Sequence, residues 1–363
     1  MKPKTHFLRV APAVLIGLTL TACGAASSPT ASSTNGAQFS GTFIFSGFGG
    51  SNEDTLVQVC LDPFAKLHHI KAEAVTNSGL AELELMEKTH KVTWDVTYSS
   101  VYSPGAGNWS SLLTPINYSI VNKNILPSQY RSYATKYGMA HDVGADAIVY
   151  NKDKIHGSQI PKTWADFYNV KSFPGTRAIG SVDYAGPYYS MQALNTALTG
   201  STNPYPLNFS AAVALLHNDA SDMVFYNSST QAEQLLTSGR VDIADVPTAS
   251  VVTALLAQKF PLGVNWNQNV VSPEFLEVPK GAPDVPLAME FIQYCDSTQQ
   301  QIAYAKLHPN GPVNAAAIAA LSPAVAATLP THYSNIASPI DSNWWTPARV
   351  TAATNQLLTV ESQ

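Results

Sequence analysis

Charge is scarce in this chain. Asp, Glu, Lys and Arg make up 12% of its 363 residues, about half the usual share of roughly 25%. With a net charge of −5, the balance offers no basic patch for a nucleic-acid backbone. Cysteine is limited to Cys23, Cys60 and Cys295, which excludes a disulfide-dense scaffold. Missing too is an uninterrupted apolar run of about 20 residues, the length a membrane-spanning helix needs. Catalytic signatures are also lacking. There is no G-x-S-x-G elbow, no phosphate loop ending in Gly-Lys-Ser/Thr and no H-E-x-x-H. Gly47-Phe48-Gly49-Gly50 lacks the third glycine of a dinucleotide loop. His68 and His69 are adjacent, and adjacent residues on a helix point about 100° apart, so they read as a solvated helix end. No cofactor, metal or enzymatic activity is expected.

What is present begins with an export signal. Lys2, Lys4 and Arg9 precede the apolar run Ala11 to Leu20, which suits a signal peptide. Leu20-Thr21-Ala22-Cys23-Gly24 resembles the bacterial lipobox, in which the cysteine is lipidated and becomes the new N-terminus. Residues 1–22 are therefore expected to be a lipoprotein signal peptide, with Cys23 as the membrane anchor. Residues 23–40 are almost all small and polar and read as a flexible tether.

The remainder alternates strand and helix patterns, and predicts an α/β fold with two lobes. Gly41 to Ser46 reads as a buried strand, with Ser51 as the N-cap of the next helix and Asp54 three residues on. Strands follow at 70–76, 92–98, 147–150, 178–182 and 241–244. Helical spacing is read at 188–198, 210–217, 229–238 and 285–307. Cys60 and Cys295 fall in apolar helical runs and read as buried thiols. Export permits a disulfide, and their pairing stays open.

Several stretches, in this order, resemble the bacterial extracellular solute-binding proteins of ABC importers, in particular the spermidine/putrescine-binding-like group. They are Phe48-Gly49-Gly50, Phe64 with Ile70 to Val75, Tyr150-Asn151-Lys152-Asp153-Lys154 with Pro161-Lys162-Thr163-Trp164-Ala165-Asp166-Phe167, and Ser238 to Ala244. Val278-Pro279-Lys280-Gly281-Ala282-Pro283, Gly311-Pro312-Val313-Asn314 and Trp344-Trp345 complete the set. The resemblance implies a two-lobed class II periplasmic-binding-protein fold with a ligand cleft between the lobes. It implies one lobe at 41–142 and 274–315 and another at 143–273 and 316–363, joined by three crossings. Residues 146–168 would then be scaffold beside a hinge, with Pro161 near the first turn of the next helix.

By the same resemblance the cleft would be lined by Phe48, Gly49, Ser100, Tyr102, Asp183 and Glu274, with Glu274 clamping an ammonium group. Two tryptophan walls of polyamine binders are missing, at the Asp245–Thr248 stretch and at Ser272. A polyamine or small amine is the favoured ligand. Another polar organic solute, or an anion held by the Ser51 helix start, Arg177 or Arg240, is the alternative. The implied partners are permease subunits, for a monomeric, exported and lipid-anchored protein at the periplasmic or extracellular face. The rivals are a secreted lipoprotein hydrolase, which would need a nucleophile–base–acid set, and a binding protein turned to sensing or adhesion.

Overall fold

The computed structural model describes residues 41–76, 79–100, 109–218 and 222–362. Cys23, the expected signal peptide and tether, and Tyr102 lie outside the described residues. The strands are β1 Thr42–Gly47, β2 Lys71–Thr76, β3 Val96–Ser100, β4 Leu113–Thr114, β5 Gly138–Asn151 and β6 Arg177–Gly180. They continue as β7 Met223–Tyr226, β8 Ile243–Pro247, β9 Leu262–Pro279, β10 Gly311–Pro312 and β11 Ser338–Pro339. Eight of them run in the order β2-β1-β3-β9-β5-β8-β6-β7, while β4 and β11 join β9 and β10 joins β5.

Two long strands organise this sheet. β5 and β9 pair antiparallel from Gly138↔Glu277 to Asn151↔Leu262. On one side β9 passes the ladder to β3 and on to the parallel pair β1–β2. On the other side β5 passes it to β8, and then to the parallel strands β6 and β7. The buried core divides accordingly. One cluster takes Phe43 to Ala145 together with Val271 to Ala337. Two more begin at Ile148 and Val149 and draw on residues up to Val270, with Ile340 to Val360 added to one of them, and a small fourth cluster gathers Leu83, Trp94, Trp109, Leu112 and Leu113. β5 and β9 are thus the floor common to two apolar bodies.

The ladder between them is interrupted twice, at Ala140/Asp142 and at Asp146/Ile148. His141 is the extra residue of the first interruption, the usual effect of a bulge being to re-aim neighbouring side chains. The second holds Trp266 to Asn269, with Gln268 at φ 62. Gln268 receives the Trp164 indole N–H on its carbonyl at 2.7 Å and the Trp164 amide on its side chain at 3.2 Å. Trp164 is fully buried. Tyr150 covers the backbone of Gly263, where a Cβ would lie 2.1 Å from the ring. Tyr150 and Trp164 are therefore packed into the scaffold.

Local boundaries correct several expectations. The first helix starts at Gly50 and its N-cap is Gly49, not Ser51. Gly49 has φ 77, and a Cβ there would approach Thr76 at 3.1 Å, so glycine fits both the turn and the packing. The Glu53 carboxylate closes the turn by accepting the Gly49 amide at 2.9 Å. Pro161 lies ahead of the helix Trp164–Phe167, whose N-cap is Thr163 in a reciprocal capping box with Asp166. The 285–307 region is two helices, Val285–Cys295 and Thr298–Leu307. The break falls at Asp296 and Ser297, where the Asp296 side chain is taken by His141, a long-range contact that periodicity does not encode. The third strand begins at Val96, later than residue 92.

Candidate functional site

Strand alternation puts Asp142, Gly144 and Asp146 on one face of β5, and their partners Glu274, Ser272 and Val270 on the same face of β9. Four residues of strand separate the two acids by about 13 Å. Each stands in its own polar cluster.

The first cluster forms around Tyr98. Its O–H lies 2.6 Å from Asp142 Oδ2 and also contacts Glu274 Oε2. Asn310 donates to Asp142 at 3.1 Å and to Glu274 at 3.4 Å. Asn52 donates to the Tyr98 and Tyr304 oxygens at 3.3 and 2.8 Å. Burial, the Asp142 charge and its hydrogen bond push the Glu274 carboxyl up to about 8, partly opposed by Tyr98 and His141. Glu274 keeps partial access to solvent, whereas Asp142 has none. Beside them the Phe48 ring sits 5.1 Å from that of Tyr98 and is 44% exposed. On the bulged position between Ala140 and Asp142, His141 binds Asp296 at 2.9 Å, and this carboxylate helps hold its imidazole at about 9 despite burial.

The second cluster lies where β6, β7 and β8 end. Asp146 pairs with Pro247, and Asp245 pairs with Ile148, so the two acids are diagonal neighbours on one face. Both are buried. Burial pushes Asp146 up to about 7, and burial together with Asp146 raises Asp245. The Tyr226 O–H donates to the Asp245 carbonyl at 2.9 Å. Tyr184 packs on Tyr226 with centroids 5.7 Å apart and shares a hydrogen bond with Ser229 at 2.7 Å. Ser229 in turn meets Ser250 at 3.0 Å.

Of the residues singled out in the sequence, Phe48 and Glu274 are brought together through Tyr98. Ser100 is buried and pairs with Glu274 across β3 and β9. Gly49 is placed at the adjacent turn. Asp183 is exposed in the short helix Val182–Ala185, near Glu361, whose carboxylate accepts the Val182 amide at 2.7 Å. Its neighbour Tyr184 is the residue that joins the second cluster. Arg177 is fully buried and donates to the carbonyls of Phe167, Phe173 and Gly175, and Arg240 is exposed.

Sequence reading missed Tyr98, Asp142, Asp146, Tyr184 and Tyr226 as site residues, and gave Asp245 no role. The available signal was acid within otherwise apolar strand runs, as in Gly144-Ala145-Asp146-Ala147-Ile148 and Ile243-Ala244-Asp245-Val246. Among the described residues no His, Cys, Asp and Glu group fits a metal, and no helix is long and apolar enough to cross a membrane.

A two-bodied α/β molecule with polar clusters on its common strands is the architecture of a solute binder. Comparison bears this out: the model of the family described as bacterial extracellular solute-binding protein matches residues 60–331. The chain belongs to that family. It is 26% identical over 314 residues to the gamma-aminobutyric acid-binding protein of Pseudomonas aeruginosa, covering 82% of this chain and 85% of that one. The solved Atu4243 GABA receptor superposes with a TM-score of 0.79 at 25% identity, over 88% of this chain and 98% of that one. The periplasmic binding protein AgtB of A. tumefaciens R10, solved with agropinic acid, gives 0.72 at 27% identity, over 90% and 100%. The fold is the two-lobed periplasmic-binding-protein fold expected from the sequence. Membership in an extracellular family makes the protein an exported one, and its work is to bind a solute.

Proposed function

We propose that the protein is the lipid-anchored substrate-binding component of an ABC importer, and that it captures a small amine-bearing solute between its lobes. The observation that carries the amine is the pair of acid clusters, Asp142 with Glu274 and Asp146 with Asp245, on one face of the adjoining strands β9, β5 and β8. An ammonium group is the natural counterpart of such carboxyls, and the Phe48 and Tyr184 rings offer surfaces for methylenes and cation–π contact. Arg177, the buried guanidinium that would suit an anion, is occupied by backbone carbonyls. The gamma-aminobutyric acid named for two relatives also carries an amine. That favours a short amine over a long polyamine.

The proposed lining is Phe48, Gly49, Ser100, Tyr102 and Glu274, with Asp183 from the short helix after β6. The lobes are proposed as the resemblance implies, 41–142 with 274–315 and 143–273 with 316–363, except that the stretch 316–337 is moved to the first lobe. The third crossing is placed between Ala337 and Ile340, because Ile318 and Ala337 pack with the first core and Ile340 with the second. The test is a thermal-shift screen of amines, amino acids, sugars and oxyanions. A solute that binds only the folded state raises its stability by about 2.7 kcal/mol at a hundredfold excess over Kd. Stabilisation by amine-bearing solutes supports the reading, and stabilisation by sugars or oxyanions alone overturns it.

A further inference from the structure

We propose that Asp146 and Asp245, walled by the phenol rings of Tyr184 and Tyr226, form the subsite that seats a primary alkylammonium group of the solute. The inference rests on the amine reading above and assigns the amine to this end of the site. Its basis is an imbalance of donors. The Asp142–Glu274 pair already receives hydrogen bonds from Tyr98 and Asn310. Among the described residues, no donor and no cationic side chain reaches the carboxyl of Asp146 or Asp245. Asp245 is 2% exposed, and its Oδ1 is buried without a partner. The same holds for the hydroxyl of Thr248, two positions along from Val246 and next to Pro247, the residue that pairs with Asp146.

Two buried carboxyls, diagonal neighbours without donors, are costly, so their retention on adjacent strands asks for a ligand that supplies what the protein withholds. An alkylammonium brings one positive charge and three N–H donors in a single small group. Access is on the Tyr184 side: that ring is 38% exposed, while Asp146 keeps 6%. Tyr226, held by its bond to the Asp245 carbonyl, backs Tyr184 and fixes the wall. The wall stands in for the tryptophan faces missing from the sequence at residues 245–248 and 272.

Calorimetric titration of the full chain with 1-aminobutane, 1,4-diaminobutane, gamma-aminobutyric acid, butyrate and glucose tests this, using wild type and the variants Asp146→Asn, Asp245→Asn, Tyr184→Ala and Glu274→Gln. Asp146→Asn and Asp245→Asn should each weaken the amine probes about 30-fold or more, and beyond the effect of Glu274→Gln. Tyr184→Ala changes an exposed ring and leaves the fold intact even where an Asn variant does not, and should weaken them roughly tenfold. If the amines bind wild type and affinity is unchanged in Tyr184→Ala and the folded Asn variants, the subsite is wrong and the amine reading stands with its charge partner elsewhere. If butyrate or a sugar binds wild type and no amine does, both fall together.

Discussion

Asp142 and Glu274 face each other across β5 and β9, and the single O–H of Tyr98 lies against both carboxyls. Asn310 adds a donor to each, yet burial and the Asp142 charge push the Glu274 carboxyl up to about 8. That direction favours a protonated Glu274 beside Phe48 near neutral pH, in a position to ionise against a cation.

This arrangement sets a pH dependence of stability. Glu274, Asp146 and Glu277 are raised to about 8, 7 and 7, and Asp95 and Asp296 to about 6. Each contributes stability that is present below its unfolded value and lost as pH rises through the folded one. His141, raised to about 9, has the same sign. His308, lowered by burial, opposes them below about pH 6.5. Melting curves should show the wild type more stable near pH 5.5 than at pH 8.5. Glu274→Gln should flatten that slope by about 1–3 kcal/mol, a range that allows for its partial solvent access. A melting temperature that climbs from pH 5.5 to 8.5 would contradict the assignment.

Arg177 should prove structural. Its guanidinium fills a buried pocket over the Phe167 ring, 5.8 Å from its centroid, and caps three carbonyls. Arg177→Met strands those acceptors and should cost about 3 kcal/mol or more in chemical denaturation. Solute affinity of the folded variant should match wild type. A folded variant that has lost its solute would place Arg177 in the binding site.

Closure of the lobes is open to small-angle scattering. If solute is gripped from both bodies, the radius of gyration of the full chain should fall on adding a solute found in the thermal screen. Tight binding with an unchanged scattering profile would identify a rigid module.

Anchoring can be tested at Cys23. Cys23→Ala should move the protein from the membrane fraction to the soluble fraction while its melting temperature stays the same. Retention on membranes after a high-salt wash would rule out lipidation as the anchor.

How much of this was legible in the residues follows from the range of the forces involved. Local signals are written in short windows. The alternation of apolar strands and helical faces gave the α/β class, and motif order from Phe48 to Trp345 gave the two-lobed resemblance. Capping chemistry was legible only in part, because Ser51 looks like an N-cap in isolation while Gly49, freed of a Cβ against Thr76, takes the position. Phe48 and Glu274 were found because they sit in recognisable stretches. Asp146 and Asp245 were not, because an acid inside a strand run shows neither its facing partner nor its lack of donors. Those depend on register, on which strands become neighbours, and on the bulge at His141 that sets the facing of β5. The class of protein, its likeness to exported solute binders and most of the elements that build it are written in short stretches of residues. Which carboxyls meet, and which of them remain unpaired, depends on the folded chain, because pairing across β5, β8 and β9 joins residues about a hundred or more positions apart, 132 in the case of Asp142 and Glu274.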